Sequence, residues 1–156
     1  MVYVRYIILK FTLVPLFLLL FSSLSLAEML SVNADSVNLR SGPGTNYEIK
    51  WEYGKGFPLQ VVSTQGDWVK VSDFENDSGW IHKPLLSNKG HVIVKVFKNE
   101  NKKINIRSGP GTNYGIVGKA YYGVVFETLE QRNGWTKIKH ETGLVGWISR
   151  DLIWGF

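Results

Sequence analysis

The sequence predicts an all-β protein built from two tandem copies of one small β-barrel. Three observations support this prediction: a ten-residue motif occurs twice, short apolar runs alternate with turn residues, and no stretch keeps a helical periodicity. The chain has 156 residues, 44% of them hydrophobic, and no cysteine. Such a composition is that of a globular protein, and it excludes disulfides, thiol catalysis and cysteine-ligated metals.

Residues 1–27 have the order of a secretory signal peptide. Two basic residues within the first ten precede residues 11–21, which are uncharged and almost wholly apolar, and small Ser25 and Ala27 suit a cleavage site. The competing interpretation is an uncleaved membrane anchor, which needs about 20 apolar residues. Polar side chains interrupt the stretch, so we expect cleavage after Ala27 and no stable membrane span afterwards. Export then places the protein in the periplasm of a Gram-negative host.

An internal repeat organises the rest of the chain. The segment Asn38–Tyr47 recurs as Asn105–Tyr114, with nine of ten residues identical at an offset of 67. A match of this length without a gap indicates two copies of one unit. We therefore predict a first domain over residues 28–88 and a second over residues 89–156.

Each copy is expected to fold as short strands separated by turns. Apolar residues alternate with polar ones before the Gly-Pro-Gly loop, and a β-branched run follows it. Turn clusters then precede the strand that begins with Trp68 or Trp135. The triplet Gly-Trp-Ile is expected to start the last strand of each copy. The predicted apolar strands and turns are Phe57–Val62, Val124–Leu129, Gln65–Asp67 and Arg132–Gly134.

The combined pattern resembles the bacterial SH3-like domain. Its elements are the motif N-hydrophobic-R-S-G-P-G, a later glycine before an apolar strand, a tryptophan, and a closing Gly-Trp-Ile. The resemblance covers residues 31–88 and 91–154. It implies two tandem small SH3-like β-barrels, each strongly bent and with five or six strands. It also implies an accessory module of exported bacterial proteins, which bind cell-wall peptides or other proteins.

Residues that occur in both copies are interpreted first as structural. Gly44 and Gly111 are expected to adopt positive φ in the loop, because glycine does so without steric cost. Arg40 and Arg107 are expected to tie the loop to the barrel through their five donors, although either could bind a carboxylate. Four matched tryptophans are assigned to the small cores: Trp68, Trp135, Trp80 and Trp147.

Aromatic residues around the loop, or present in only one copy, are the candidates for a ligand groove. Tyrosine and tryptophan offer a flat face and a polar group, which suits half-exposed recognition sites. The alternative, that several of them seal the interface between the domains, remains open at this point. The candidates are Tyr47, Trp51, Tyr53, Phe74, Tyr114, Tyr121, Tyr122 and Trp154.

Charge differs between the two copies. Residues 28–88 hold five Lys/Arg and eight Asp/Glu, a net charge of −3, whereas residues 89–156 hold eleven and five, a net charge of +6. Either the second copy meets an anionic partner, or these are two solvated surfaces, or the two units attract each other. In the first case Lys102, Lys103 and Arg107 are the expected anion contacts.

No active-site pattern is recognisable, so we expect a binding protein and not an enzyme, with no cofactor and no metal. The three histidines, His82, His91 and His140, fit no metal-binding motif. Export argues against nucleic acid as the partner. The leading hypothesis is recognition of a cell-envelope ligand such as a peptidoglycan peptide. The alternative is a periplasmic adaptor or regulator that binds an extended segment of a protein. The sequence does not indicate the oligomeric state.

Overall fold

The computed structural model describes residues 28–156, which form two antiparallel sheets of seven strands each. The predicted signal peptide lies outside the described residues. The first sheet contains β1 (Met29–Val32), β2 (Ser36–Arg40), β3 (Ile49–Gly54), β4 (Pro58–Gln65), β5 (Trp68–Ser72), β6 (Ser78–His82) and β7 (Leu86–Ser87). The second contains β8 (His91–Val94), β9 (Ile104–Arg107), β10 (Ile116–Ala120), β11 (Val125–Arg132), β12 (Trp135–Lys139), β13 (Val145–Ser149) and β14 (Ile153–Gly155).

Both sheets have the same topology, so the all-β fold predicted from the repeat is confirmed. The order is β3-β2-β6-β5-β4-β1-β7 in the first sheet and β10-β9-β13-β12-β11-β8-β14 in the second. Register shifts interrupt the long strands β4 and β11 where they pair with β5 and β12. Such bulges bend a strand and increase its twist, which lets a short sheet curl around its own core.

Each sheet has one strand beyond the Gly-Trp-Ile strand, which corrects the prediction that this strand is the last. A single 3-10 turn, Lys83–Leu85 or Arg150–Leu152, follows β6 or β13. The chain then forms β7 or β14, which pairs antiparallel with β1 or β8. These added strands have two and three residues, and they bring each sheet to seven strands instead of five or six.

The two predicted hairpin turns are confirmed. Gly66 lies between β4 and β5 with φ of 56°, and Asn133 and Gly134 lie between β11 and β12 with φ of 48° and 79°. Positive φ at these positions matches the right-handed twist of the strands they join.

The expectation for Gly44 and Gly111 was wrong, because neither residue is among those with positive φ. Their loop needs glycine for space. A Cβ added at Gly42 would lie 2.3 Å from Cδ1 of Tyr47, and one at Gly44 would lie 2.6 Å from Oδ1 of Asn46. The same distances recur around Tyr114 in the second copy. The tyrosine ring therefore packs on the loop where a side chain would otherwise stand.

Each sheet encloses its own apolar core. The alternating residues of β2, β5 and β6 point inward in the first domain, as do those of β9, β12 and β13 in the second. Among residues 28–156, no helix has the length and hydropathy needed to cross a membrane. The first core contains Val32, Val37, Leu39, Tyr53, Leu59, Val69, Val71 and Ile81. The second contains Val92, Val94, Ile104, Ile106, Ala120, Phe126, Ile138, Ile148 and Ile153.

Candidate functional site

Each domain carries a groove between its Gly-Pro-Gly loop, its 3-10 turn and a tryptophan. The groove has a volume of about 260 Å³ in the first domain and about 240 Å³ in the second. We call these two the tryptophan grooves. Five pairs of equivalent residues line both of them: Asn38/Asn105, Arg40/Arg107, Thr45/Thr112, Trp68/Trp135 and Leu85/Leu152.

Arginine side chains hold the loop wall of each groove in place. Nη1 of Arg40 donates hydrogen bonds to the carbonyl oxygens of Thr45, at 3.0 Å, and Tyr47, at 2.8 Å. Nη1 of Arg107 donates likewise to the carbonyl oxygen of Tyr114, at 2.8 Å. Arg40 and Arg107 therefore hold the loop against the barrel, as predicted from their presence in both copies. Because a guanidinium has five donors, it can also present N–H groups to a ligand in the groove.

The tryptophans that face the grooves were assigned to the core from sequence, and they are only half-buried. In the first domain the ring of Trp68 lies beside His82, with 5.3 Å between ring centroids. Ser149 stands at the position of His82 in the second domain. An indole face with amide, hydroxyl and guanidinium groups around it can contact a peptide through both its side chains and its backbone.

Tyr47 and Tyr114 do not line the tryptophan grooves. Each packs its ring on the Gly-Pro-Gly loop, and each remains 43% exposed. Their loop-packing role explains why the tyrosine recurs with the glycines.

Tyr53 is a core residue, which corrects its selection as a groove residue. Its side chain is 2% exposed, stacks on Phe57 at 4.3 Å and donates a hydrogen bond to Oδ2 of Asp73 at 2.8 Å. Burial, followed by the hydrogen bond to Asp73, raises the pKa of Tyr53 well above its usual range. Ala120 takes the equivalent position in the second core.

Phe74, Tyr122 and Trp154 meet at the contact between the domains. The ring centroid of Phe74 lies 5.6 Å from that of Tyr122 and 6.2 Å from that of Trp154. Beside them, Glu75 accepts hydrogen bonds from the Tyr122 hydroxyl and the Lys98 ammonium. For these three aromatics, the structure favours the interface alternative over the ligand groove.

The hydrogen bonds at this contact shift two pKa values in opposite directions. Those from Lys98 and Tyr122 hold the pKa of Glu75 below its ordinary value of 4.5. Burial, together with the bond to Glu75, raises the pKa of Tyr122 above its ordinary range. Glu75 is therefore the acceptor, and Tyr122 keeps its proton, across the physiological pH range.

The remaining aromatic candidates are exposed on the second halves of their hairpins. Trp51 lies on the edge strand β3 with 59% of its surface exposed. Tyr121 follows β10 and has the ammonium of Lys103 at 4.5 Å from its ring centroid. The ammonium of Lys102 lies 2.7 Å from Oε2 of Glu100, so it forms a surface ion pair within its own loop.

The three histidines do not converge on one site, because His91 and His140 line one cleft whereas His82 lies beside Trp68. His91 lines a cleft of about 570 Å³ between the domains together with Lys55 and Lys89, and burial lowers the pKa of its ring. Within residues 28–156, no three His, Asp or Glu side chains converge as metal ligands would.

Models of known protein families match the same two parts of the chain. Two family profiles, both described as bacterial SH3 domain, match residues 33–88 and residues 102–153. These two segments contain the two tryptophan grooves.

Two relatives are similar to parts of the chain. YrvJ of Bacillus subtilis (strain 168), whose name marks a provisionally assigned N-acetylmuramoyl-L-alanine amidase, is 30% identical over 140 residues. That match covers 85% of this chain but 27% of YrvJ. Serine/threonine-protein kinase D of Synechocystis sp. (strain ATCC 27184 / PCC 6803 / Kazusa) is 38% identical over 55 residues, which are 31% of this chain and 11% of the kinase. The chain thus spans at most about a quarter of these relatives.

Solved structures are similar to this chain only at a low level. NlpC1 from Trichomonas vaginalis has a TM-score of 0.36 and 15% identity, over 85% of this chain and 47% of NlpC1. An NlpC/P60 family protein from Bacillus cereus ATCC 10987 has a TM-score of 0.37 and 14% identity, over 82% of this chain and 56% of that protein. Scores this low carry no argument about function. The profile matches and the duplicated seven-stranded sheets together place the chain in the bacterial SH3 domain family, as two domains in tandem.

Proposed function

We propose that this protein is an exported, non-enzymatic binding protein that recognises peptide segments of peptidoglycan through its two tryptophan grooves. The similarity to YrvJ supports the choice of ligand, because the name of that relative refers to a bond between muramic acid and a peptide. An extended peptide suits a groove that offers an indole face and several hydrogen-bonding groups.

The observation that carries this proposal is the recurrence of one groove in both domains. Ten lining residues form five equivalent pairs of identical residue type, and four of these pairs are asparagine, arginine, threonine and tryptophan residues. The fifth pair is Leu85 and Leu152. Two equal sites on one chain raise retention on a repetitive polymer, because the second binding event is intramolecular.

Retention on purified, protein-free peptidoglycan tests the proposal. We expect the protein without residues 1–27 to co-sediment with the polymer at low and at moderate salt. Retention at low salt alone would indicate charge attraction by the second domain, because salt screens exposed charges. No retention at either salt would contradict the proposal.

Substitutions at the rims of the tryptophan grooves test whether these grooves are responsible for retention on peptidoglycan. Thr45 and Thr112 are exposed lining residues, so Thr45→Arg with Thr112→Arg blocks both grooves without removing core atoms. We expect this double variant to lose most retention, and either single variant to lose the avidity of two sites. The matched control is Trp51→Ala, which removes an exposed tryptophan outside the grooves and should leave retention unchanged.

Export and processing are a separate part of the proposal. Their support is the order of charged, apolar and small residues over residues 1–27. Sequencing the N-terminus of the protein recovered from its host should give Glu28 as the first residue. A product that begins at Met1 would instead indicate a membrane-anchored form.

A protein partner is the second candidate, and the edge strands favour it. Ile49 and Trp51 expose 50% and 59% of their surfaces on β3, the first strand in its sheet order. An exposed edge with apolar side chains can pair with an extended segment of another chain. Crosslinking to one periplasmic protein, together with no retention on peptidoglycan, would support this alternative.

A further inference from the structure

A groove in the second domain is built differently from its counterpart in the first. It has a volume of about 340 Å³ and lies apart from the tryptophan grooves. We call it the Ala120 groove. Val124 and Leu144 form its half-buried apolar wall over the buried Ala120 and Phe126, and Lys103, Lys119 and His140 stand around it.

The Ala120 groove exists because two aromatic side chains of the first domain are missing in the second. Tyr53 and Phe57, which stack at 4.3 Å and fill this place in the first domain, correspond to Ala120 and Val124 at the repeat offset. Phe126 replaces Leu59, and Phe97 packs against the same core from the β8–β9 connection, with the Ala120 groove remaining beside them. Ala120 and Phe126 are 5% and 2% exposed and form the floor of the groove, so the apolar surface that a ligand can reach is offered by the half-buried Val124 and Leu144.

The charge at this place is also reversed between the domains. Lys119 stands at the position of Glu52, and His140 stands at the position of Asp73. Lys103 replaces the neutral Ser36. The same region is therefore acidic and occupied by a stacked aromatic pair in the first domain, but basic and lined by the smaller Ala120 and Val124 in the second.

Local contacts orient the basic groups. The ammonium of Lys103 lies 4.5 Å from the ring centroid of Tyr121, which holds it beside the groove. The backbone N–H of Thr142 donates to Nδ1 of His140, and the Thr142 hydroxyl lies 2.8 Å from the same nitrogen. Because Nδ1 accepts from this N–H, Nε2 is the ring nitrogen that can donate to an anion.

We propose that the Ala120 groove binds the carboxyl-terminal residue of a peptide whose last side chain is apolar. The side chain packs against Val124 and Leu144 above the floor formed by Ala120, while the carboxylate meets Lys103 and Lys119. The volume suits one or two residues and is too small to enclose a long acyl chain. This inference does not depend on the proposed function, since the tryptophan grooves are separate sites.

A titration followed by backbone amide NMR tests the inference on the two-domain protein. The probe is N-acetyl-L-leucine, and its controls are N-acetyl-L-leucinamide, N-acetylglycine and octanoate. We expect N-acetyl-L-leucine to shift the amides of Ala120, Phe126 and Leu144. The amide and the glycine derivative should each bind about ten-fold more weakly or worse, because each lacks one of the two contacts. Equal binding of acid and amide, or tighter binding of octanoate, would overturn the assignment.

Two variants keep the test independent of folding. Ala120→Tyr with Phe126→Leu places the first-domain residues Tyr53 and Leu59 at the equivalent positions and should abolish the titration. Lys119→Glu restores the first-domain charge at an exposed position, and it should weaken binding about ten-fold or more without touching the core. Binding that survives both changes would overturn the inference.

A third variant distinguishes this inference from the proposed function. Thr45→Arg with Thr112→Arg blocks the tryptophan grooves and should leave the N-acetyl-L-leucine titration unchanged. A loss of the titration in this variant would place the probe in those grooves and contradict a separate site.

Discussion

At the scale of single residues, the carboxylate of Asp73 connects the first core to the interface loop. Its Oδ2 accepts the Tyr53 hydroxyl at 2.8 Å, and its Oδ1 accepts the backbone N–H groups of Glu75 and Asp77 at 2.9 Å each. The loop fixed in this way carries Phe74 and Glu75 to the second domain. Tyr53 therefore stabilises the contact between the domains indirectly, through Asp73 and the loop that Asp73 fixes.

Removing the Tyr53 hydroxyl should destabilise the first domain. In Tyr53→Phe the buried carboxylate of Asp73 loses a donor, and such a loss costs about 1–3 kcal/mol. The measurement is the free energy of chemical unfolding. Tyr47→Phe is the matched control, because that residue is 43% exposed, and its effect should stay within about 0.5 kcal/mol. Equal effects of the two substitutions would contradict the role assigned to Asp73.

Sequence reasoning located the loop-tying arginines but not the place of each aromatic. Arg40 and Arg107 were predictable because both lie beside a repeated loop whose carbonyls need donors. Tyr53 and Trp51 lie on the same strand, and only the packing of the sheet decides that Tyr53 points inward. Trp68 was assigned to the core because it recurs in the second copy, but a residue that binds a ligand in both domains recurs in the same way as one that stabilises both folds.

At the scale of elements, the Gly-Pro-Gly loop provides the surface on which a tyrosine ring packs. A Cβ at Gly42 would lie 2.3 Å from the Tyr47 ring, so any larger residue displaces the ring or the loop. Because Arg40 bonds to carbonyls of this same segment, a displaced loop would also change the wall of the tryptophan groove.

Gly42→Ala should therefore destabilise the first domain by about 1–3 kcal/mol, the usual cost of overpacking. Thermal unfolding measures the effect. Gly54→Ala is the control, because the nearest heavy atom to its new Cβ is 3.9 Å away. Adding Tyr47→Ala to Gly42→Ala removes the clashing ring, and it should make the glycine substitution nearly neutral in that background. If Gly42→Ala destabilised the Tyr47→Ala protein as much as the wild type, the packing of the Tyr47 ring on Gly42 would not be the cause.

The elements themselves were largely predictable where their signals are local. Turn residues and alternating apolar residues located the hairpins around Gly66 and Gly134. The strands β7 and β14 have too few residues to show any periodicity, and they form because the 3-10 turn returns the chain to β1 or β8. Pairing partners that are distant in the chain specify such strands.

At the scale of the whole molecule, contacts between the domains hold them in one arrangement. The rings of Phe74, Tyr122 and Trp154 supply the apolar part, and Glu75 supplies the acceptor for Tyr122 and Lys98. Lys98 lies in the β8–β9 connection, which is longer than the β1–β2 connection of the first domain. The longer loop therefore adapts the second copy to its neighbour.

The contact between the domains should weaken in acid. The pKa of Glu75 is lowered in the folded protein, so its contribution is complete above the ordinary value of 4.5 and is lost as pH falls through the lower folded value. We expect ¹⁵N relaxation to report increasingly independent tumbling of the two domains as the pH is lowered from neutral to below 4.5.

The variant Glu75→Gln isolates this effect from other carboxylates. It removes the acceptor charge at every pH, so its domains should already tumble more independently at neutral pH and change less on acidification. Glu48→Gln, at an exposed position of the first domain, should behave as the wild type. Identical tumbling of Glu75→Gln and wild type at neutral pH would contradict the role of this carboxylate.

The repeat predicted two similar domains, but it could not predict how they differ in use. Whether Phe74 lines a groove or an interface depends on where the second domain lies, which no single-copy pattern encodes. The tryptophan grooves likewise depend on residues from β2, the loop, β5 and the 3-10 turn meeting in space. Only their identical residue types in both copies pointed to a shared role.

Both tryptophan grooves are proposed to bind peptidoglycan peptide, and the NMR signals of the tryptophan indole N–H groups test this most directly. The six tryptophans report on separate regions: Trp68 and Trp135 on the grooves, Trp51 on an edge strand, Trp154 on the interface, and Trp80 and Trp147 on the remaining strands. Titration with soluble disaccharide-peptide fragments of peptidoglycan should shift the signals of Trp68 and Trp135 and leave that of Trp51 unchanged. Shifts confined to Trp51, or no shifts at saturating fragment, would contradict the claim.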